Sequence, residues 1–178
     1  MISAILVAII AKDLPTKPIN LVGAITTKGK PAWFSVAKSK ATVFFFIATD
    51  CPIANRYAPE ISRIAKSYAL KGVLLYRVYV TAKPTEVVRH GQEFKLNFPA
   101  VLDSRRKLVQ ATGVKVTPEV AVLNSAGILV YRGRIDNQNI EHGSIRKDYR
   151  RDLRVALDEV LAGKPVSQPE AAAIGCFL

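Results

Sequence analysis

The chain has 178 residues, of which 49% are hydrophobic, enough for one packed core. Its two cysteines are far too few for a structural disulfide framework, which excludes the class of small disulfide-stapled domains. The formal charge of +12 comes from basic residues spread from Lys12 to Lys164, so it predicts a basic surface and no nucleic-acid partner. The densest basic stretch, 146–154, also contains Asp148 and Asp152, as is typical of a solvent-exposed helix face.

The N-terminal residues 1–11 are apolar except Ser3 and are followed at once by Lys12 and Asp13. The segment is too short to span a bilayer and is typical of the apolar core of a secretory signal. No basic residue precedes it, so a membrane-peripheral segment and a packed N-terminal element are retained as alternatives. We expect an exported protein, periplasmic or otherwise extracytoplasmic, without an integral membrane span. A cytoplasmic protein is the alternative.

The hydrophobic pattern then predicts strands that alternate with helices. Two short strands, over 20–25 and 32–36, flank a turn and form a predicted N-terminal β-hairpin. The run over 41–48 is continuously β-branched and aromatic, which is typical of a central strand buried on both faces. The later predicted elements are a helix that begins at Pro52, contains Pro59 and is closed by Lys71 and Gly72, a strand over 73–81, a helix over 84–96, a short strand that ends at Val101, a helix over 104–112, two strands over 117–123 and 128–135, and a helix over 148–161.

This order of elements predicts an α/β fold of three layers. Strands separated by helices form parallel pairs with helices on both faces of the sheet, and the late hairpin adds antiparallel strands, so the sheet is mixed. We expect one domain over 12–163, with 1–11 set apart as the signal-like segment. Residues 164–178 have the composition of a linker and are predicted to form a C-terminal tail that carries Cys176.

Cys51 stands between the central strand and the helix that begins at Pro52. At this position the unpaired N–H groups and the positive end of the helix dipole favour the thiolate, which is the nucleophile of disulfide exchange and peroxide reduction. Asp50 opposes this effect if its carboxylate faces the sulfur. A buried cysteine that acts only as a small hydrophobe at an element boundary is the alternative.

The spacing of prolines relative to Cys51 indicates a family. Pro59 follows eight residues later inside the helix, and Thr117 and Pro118 lead into a strand and hairpin. This arrangement resembles the thioredoxin superfamily over residues 19–163. The resemblance implies a thioredoxin-like α/β/α fold with a cis bond between Thr117 and Pro118 beside the sulfur. An ordinary strand-initiating proline is the alternative.

Longer stretches narrow the resemblance to the redoxin branch, which includes peroxiredoxin-like (AhpC/TSA) proteins. The stretches are 48–60, 98–103 and 131–136. The chain departs from the branch in two ways. A dithiol oxidoreductase of the family carries Cys-x-x-Cys, whereas Ala54 occupies the second position here. Peroxiredoxins place a threonine three residues before the reactive cysteine, whereas Thr49 is two before Cys51.

Cys176 is the candidate for the missing second cysteine. A fully extended tail from Lys164 reaches about 40 Å, against a radius of gyration of about 16 Å for a domain of this length, so Cys176 can reach Cys51. The end of the tail is apolar enough to dock, within one molecule or across a dimer, and Gly175 would let the backbones approach closely. A frayed terminus with an incidental thiol is the alternative.

We therefore predict a thiol-dependent oxidoreductase in which the Cys51 thiolate attacks a protein disulfide or a hydroperoxide, and Cys176 or an external thiol reductant resolves the product. Thr117 and Pro118 are expected beside the sulfur. The residues expected to contact substrate are Thr49, Pro52 and Arg56. The protein is expected to be a monomer or a homodimer.

Side chains near Cys51, the two histidines and Ala54 bear on this prediction. Arg56 and Tyr57 lie on the first turns of the helix, where a solvated arginine and a core tyrosine are the alternatives to a contact with the sulfur. We predict no cofactor and no metal, because His90 and His142 lack metal-ligand spacing with either cysteine. Ala54 favours the alternative function, a catalytically weak binding module that uses the groove beside Pro118.

Overall fold

A computed structural model of the chain describes residues 14–141 and 144–178. The signal-like segment 1–11 and His142 lie outside the described residues. The strands are β1 (Ile25–Thr26), β2 (Ala41–Phe46), β3 (Val73–Tyr79), β4 (Ala100–Leu102), β5 (Val116–Thr117), β6 (Glu119–Asn124), β7 (Leu129–Gly133), β8 (Asn139–Glu141), β9 (Ser144–Ile145), β10 (Glu170–Ala171) and β11 (Cys176–Phe177). The helices are α1 (Pro52–Ala69), α2 (Pro84–Glu93), α3 (Lys107–Thr112) and α4 (Asp152–Leu161).

Seven strands form one mixed sheet in the order β1-β4-β3-β2-β6-β7-β10. Strand β2 lies at its centre, parallel to β3 and antiparallel to β6. All six residues of β2 are buried, as the continuous β-branched and aromatic run predicts. Two smaller pairings, β11 with β5 and β8 with β9, lie outside this sheet.

The alternation of side chains along β2 divides the core into two layers. Val43 and Phe45 pack on the face covered by α1 and α4, whereas Phe44 and Phe46 pack on the opposite face with Leu108 of α3. Successive side chains of a strand point to opposite faces, so a strand with large apolar side chains on both faces needs cover on both sides. The predicted three-layer α/β/α arrangement is therefore present. Within the described part of the chain, no helix is long and apolar enough to cross a membrane.

The predicted N-terminal hairpin is present in reduced form. Its turn is closed by the bond from the Thr26 amide to the Lys30 carbonyl, at 2.7 Å. The expected strand over 32–36 is wrong, because pairing stops after a single bridge between Ile25 and Pro31. The Ala32 amide still donates to the Ala24 carbonyl at 3.0 Å. Beyond Ala32 no further pairing with β1 follows among the described residues, and the ring of Phe34 instead packs edge-on against two aromatic rings of the sheet.

Helix α4 begins at Asp152, four residues later than predicted. Both backbone polar groups of Arg150 are hydrogen-bonded to Asn137. The Asn137 amide donates to the Arg150 carbonyl, and the Arg150 amide donates to the Asn137 side chain. Asp152 is buried and paired with Arg134 at 2.7 Å. These contacts hold residue 150 out of the helix.

The tail is not a free linker. Strand β10 extends the main sheet in parallel with β7, with Ala171 in register with Gly133. Strand β11 runs antiparallel to β5, with Cys176 in register with Thr117. The tail is thus fixed to the rest of the chain by two strand pairings, and the second one brings Cys176 to the residue before Pro118.

Candidate active site

Cys51 is the N-cap residue of α1, in the loop that follows β2, and only 2% of its surface is exposed. Pro52 occupies the first helical position, which suits proline because no hydrogen bond is needed there. The Cys51 carbonyl accepts the first helical hydrogen bond, from the Asn55 amide at 3.0 Å. Its side chain does not cap the helix. The sulfur is therefore left to interact with groups outside α1.

The first of these groups is the carbonyl oxygen of Thr117, which lies 3.1 Å from Cys51 Sγ and accepts the thiol proton. The Thr117–Pro118 peptide bond is cis, as the resemblance implies. Thr117 is 1% exposed, and its hydroxyl has no hydrogen-bond partner among the residues described. Strand β5 and the following proline thus form the wall of the site that faces Cys51.

The second group is Cys176, whose sulfur lies 3.0 Å from Cys51 Sγ. The two cysteines are 125 positions apart in the sequence and meet within one chain. The pairing of β11 with β5 holds Cys176 opposite Thr117, and the Leu178 amide donates to the Lys115 carbonyl at 3.1 Å. The structure therefore brings together Cys51, Cys176, Thr117 and Pro118.

Gly175 lets the tail approach the backbone of Thr117 closely. A Cβ atom built on Gly175 would lie 2.1 Å from the Thr117 carbonyl oxygen and 2.6 Å from its carbon. No real side chain tolerates such a contact, so a glycine is required for this path of the tail. The expectation that Gly175 permits a close backbone approach is confirmed.

A second anchor holds the tail upstream of this point. The guanidinium of Arg132 pairs with the carboxylate of Glu170 and donates to the Thr112 carbonyl at 3.2 Å. A Cβ on Gly133 would lie 2.0 Å from the Ala171 carbonyl oxygen, so this pairing also depends on a glycine. The segment between β10 and β11 is therefore fixed at both ends.

The thiol of Cys176 loses its proton less readily than an ordinary cysteine. The hydrogen bond to Cys51, burial and the negative charge that Cys51 acquires on ionisation together raise the pKa of Cys176 to about 11. A charged sulfur next to a second thiol disfavours a second charge there. Cys176 therefore stays protonated at neutral pH and donates to Cys51, which in turn donates to the Thr117 carbonyl.

The residues predicted to contact substrate surround the cysteine loop. Pro52 and Arg56 are exposed, and Thr49 is half-buried. Tyr57 is buried, which fits the alternative of a core tyrosine, and its hydroxyl donates to the carboxylate of Asp136. Contact of Thr49, Pro52 and Arg56 with a substrate stays a prediction.

A buried polar network behind the loop was not predicted from the sequence. His90 is 4% exposed, and its Nε2 lies 2.8 Å from Asn55 Oδ1 while its Nδ1 lies 2.8 Å from Tyr79 Oη. Because an amide oxygen only accepts, Nε2 carries the proton and Nδ1 accepts from Tyr79. Asn55 Nδ2 then donates to the Thr49 carbonyl at 3.1 Å. The network thus ties the loop before Cys51 to α2.

Burial, with the nearby positive charge of Arg77, lowers the pKa of His90. The imidazole is therefore neutral at pH 7, as the proton arrangement of the network requires. From the sequence, His90 was weighed only as a metal ligand, so its role in this network was missed. Among the described residues, no group of three or more His, Cys, Asp or Glu side chains is placed to hold a metal ion.

Comparison with known proteins relates this geometry to a family. The Redoxin family model matches residues 17–149. The thiol-disulfide oxidoreductase ResA of Halalkalibacterium halodurans is 26% identical over 106 residues, which make up 58% of this chain and 60% of that protein. The chain thus spans about three fifths of the length of this curated relative.

Solved structures extend the likeness to most of the chain. An uncharacterised conserved protein from Geobacillus kaustophilus has a TM-score of 0.79 at 26% identity, over 93% of this chain and 92% of that one. A thiol:disulfide interchange protein of the thioredoxin family from Chlorobium tepidum has a TM-score of 0.56 at 23% identity, over 68% of this chain and 87% of that one. The fold is therefore thioredoxin-like.

Proposed function

The chain belongs to the Redoxin family, and from that premise we propose that it is a thiol-disulfide oxidoreductase in which Cys51 is the attacking nucleophile and Cys176 is the resolving thiol. The observation that carries the proposal is the 3.0 Å separation of the two sulfurs. A disulfide bond is about 2.05 Å long, so an approach of about 1 Å is enough to form one.

The proposed reaction has two exchange steps. Cys51 first loses its proton, and its thiolate attacks one sulfur of a substrate disulfide. The substrate S–S bond breaks, a mixed disulfide forms at Cys51, and the other substrate sulfur leaves as a thiolate that takes up a proton. The Cys176 thiol then loses its proton and attacks the Cys51 sulfur. This step releases the second substrate thiol and leaves a Cys51–Cys176 disulfide.

The electron balance of these steps requires a reductant. The substrate disulfide gains two electrons, and the two protein thiols lose them. An external dithiol of lower reduction potential would restore Cys51 and Cys176 by the same exchange chemistry. One chain supplies both cysteines, so a monomer suffices for the proposed cycle.

The position of Cys176 removes the reason for the alternative function, a catalytically weak binding module. That alternative was based on Ala54, which removes the second cysteine of a Cys-x-x-Cys motif. A tail cysteine 3.0 Å from Cys51 supports turnover without that motif. Disulfide exchange is preferred to hydroperoxide reduction because the curated relative is a thiol-disulfide oxidoreductase and Thr49 is one position away from the peroxiredoxin pattern.

We further propose that the protein acts outside the cytoplasm on protein disulfides. The apolar residues 1–11 support export, and disulfides persist in oxidising compartments.

The test of the proposed function is a side-by-side assay of insulin disulfide reduction and hydrogen peroxide consumption with dithiothreitol as reductant. We expect the protein to reduce insulin and Cys51→Ser to be inactive, because no thiolate remains to attack. Cys176→Ser should still form the mixed disulfide but turn over more slowly, because dithiothreitol must then resolve that intermediate directly. The control Phe177→Ala changes a side chain that is 90% exposed and should keep the parent rate. Unchanged insulin reduction in Cys51→Ser would refute the proposal. Consumption of peroxide without insulin reduction would refute disulfide exchange in favour of hydroperoxide reduction.

A further inference from the structure

Arg77 is a buried charge without a carboxylate partner among the described residues. It lies on β3 and is only 8% exposed, although arginine carries a positive charge at every physiological pH. None of the salt bridges of the described chain involves its guanidinium. Buried charges in proteins are normally paired, because taking an ion out of water is costly unless an opposite charge compensates for it. The proposed redox function does not explain this charge.

The surrounding protein uses only part of the hydrogen-bonding capacity of this guanidinium. Nε donates to the Phe98 carbonyl at 3.0 Å, and Nη1 donates to the Tyr79 hydroxyl at 3.2 Å. Cζ lies 5.6 Å from the centroid of the Phe98 ring and 5.9 Å from that of Tyr79, within the range of cation–π contacts. A guanidinium has five N–H donors, so three of them, including both on Nη2, have no acceptor among the described residues.

Arg77 lines an open cleft of about 460 Å³ beside α2. Gly91 of α2 lines the same cleft, and a Cβ atom built on it would lie 2.6 Å from Nη1 and 3.2 Å from Nη2 of Arg77. Any side chain at position 91 would therefore displace the guanidinium. The glycine thus leaves room for the charged group at the wall of the cleft.

The rest of the cleft is mostly apolar. Val87 and Leu96 line it, and Val88 beside them is 46% exposed. The exposed side chains of Gln92 and Asn97 add hydrogen-bond donors, and no described residue that lines the cleft is acidic. Clefts of about 300–1,000 Å³ with apolar walls and a few fixed polar groups are typical of sites for small ligands.

We propose that this cleft binds a small carboxylic acid with an apolar body, whose carboxylate pairs with Arg77 and whose hydrocarbon part packs on Val87 and Val88. The planar fork of arginine matches the two oxygens of a carboxylate, and such a pair supplies the negative charge that the buried guanidinium lacks. The apolar wall favours an organic acid over a small inorganic anion. The site uses neither Cys51 nor Cys176, so it is a further function beside the proposed redox reaction.

The probe is octanoate, and its binding to the full reduced chain is followed by the backbone amide shifts in two-dimensional NMR spectra. The largest shifts should fall within residues 77 and 87–100, which line the cleft. Octanol has the same chain without the charge, and inorganic phosphate has charge without the chain, so each should bind at least about tenfold more weakly. The dipeptide acetyl-Val-Leu carries its carboxylate on a polar backbone and should bind at least about fivefold more weakly.

Three substitutions locate the binding energy. Arg77→Met removes the charge but keeps an unbranched side chain, and it should weaken octanoate binding at least about tenfold. Val88→Asp places a carboxylate on an exposed part of the wall and should weaken binding at least about threefold by repulsion, without disturbing the core. Arg89→Gln is the matched control. It removes a positive charge from the same helix at an exposed position that does not line the cleft, and it should stay within about twofold of the parent.

Equal binding of octanoate and octanol would overturn the inference, and so would tighter binding of phosphate or of the dipeptide than of octanoate. If Arg77→Met does not fold, octanoate affinity that is unchanged in Val88→Asp would overturn it as well. The test involves no thiol chemistry, so its result is separable from the insulin assay. A protein that reduces insulin and does not bind octanoate would overturn this inference alone.

Discussion

Gly175 lies against the Thr117 carbonyl at a distance that no other residue can occupy, since a Cβ there would be 2.1 Å from the oxygen. The same contact places the next residue, Cys176, beside Cys51. The position of the second sulfur thus depends on a residue that carries no side chain.

For Gly175→Ala we expect a weaker Cys51–Cys176 disulfide. Displacement of β11 lowers the effective concentration of Cys176 at Cys51, and disulfide stability scales with that concentration. The equilibrium constant for the internal disulfide, measured against a series of glutathione redox buffers, should fall by about tenfold or more. Phe177→Ala should stay within about twofold of the parent. An unchanged constant in Gly175→Ala would show that the close approach does not hold the tail.

For Cys176 we expect an unusual pH dependence of alkylation. Its pKa is raised from an ordinary value near 9 to about 11, first by the hydrogen bond to Cys51. We follow the rate of iodoacetamide labelling of Cys176 by peptide mass spectrometry from pH 7 to 11.5. The midpoint of its increase should lie near pH 11 rather than near pH 9. In Cys51→Ala the partner and its charge are gone, so the midpoint should move down toward 9. Identical midpoints in the two proteins would contradict this.

The raised pKa of Cys176 also makes the stability of the reduced protein depend on pH. A thiol whose folded pKa lies above its unfolded pKa binds its proton more tightly in the folded state. The resulting stability is fully present below about pH 9 and is lost as the pH rises toward 11. Urea unfolding of the reduced parent should therefore show a decline in this window that is smaller in Cys51→Ala.

Because of His90, we expect the free energy of unfolding to fall at acidic pH. Burial lowers its folded pKa, so the unfolded state binds the proton more readily and stability is lost as the pH falls below the ordinary histidine value of about 6.5. One proton gives a slope of at most about 1.4 kcal/mol per pH unit. His90→Gln should remove this component in urea unfolding between pH 7.5 and 5. A parent slope that survives in His90→Gln would contradict the assignment.

For Thr117→Val we expect a gain in stability. The hydroxyl is buried without a hydrogen-bond partner among the described residues, so an isosteric methyl group removes a desolvation cost of about 1 kcal/mol. Thr112→Val is the opposite case, since its buried hydroxyl donates to the Leu108 carbonyl at 2.7 Å, and it should lose about 1 kcal/mol. Urea unfolding of the two variants should therefore shift in opposite directions. A loss of stability in Thr117→Val would mean that the hydroxyl makes a contact in solution.

The features that could be predicted from the sequence are those with a strong local signal. Strand β2 is part of a continuous β-branched and aromatic run and α1 has a regular apolar face, so both were expected close to their actual bounds. The cis bond at Pro118 was expected from the resemblance and is present. Ala54 showed that any second cysteine had to come from outside α1, which left Cys176.

The features that could not be predicted depend on contacts between distant residues. Strands β10 and β11 contain two residues each, too few for any periodicity, and exist only because β7 and β5 offer partners. The pair of Asn55 and His90 comes from two helices and is 35 positions apart in the sequence. A polar residue on each of two amphipathic helices is ordinary in isolation, and only the packing of α1 against α2 turns these two into a bond.

The most direct test of the proposed redox pair is mass spectrometry of the full chain after air oxidation and after reduction, with one thiol label applied before reduction and a second one after it. We expect the oxidised protein to be a monomer lighter by two hydrogens, with both cysteines protected from the first label and a peptide pair that links Cys51 to Cys176. Dithiothreitol should return both thiols. Two freely labelled thiols in the oxidised protein, or Cys51 linked only to a second copy of the chain, would contradict the account.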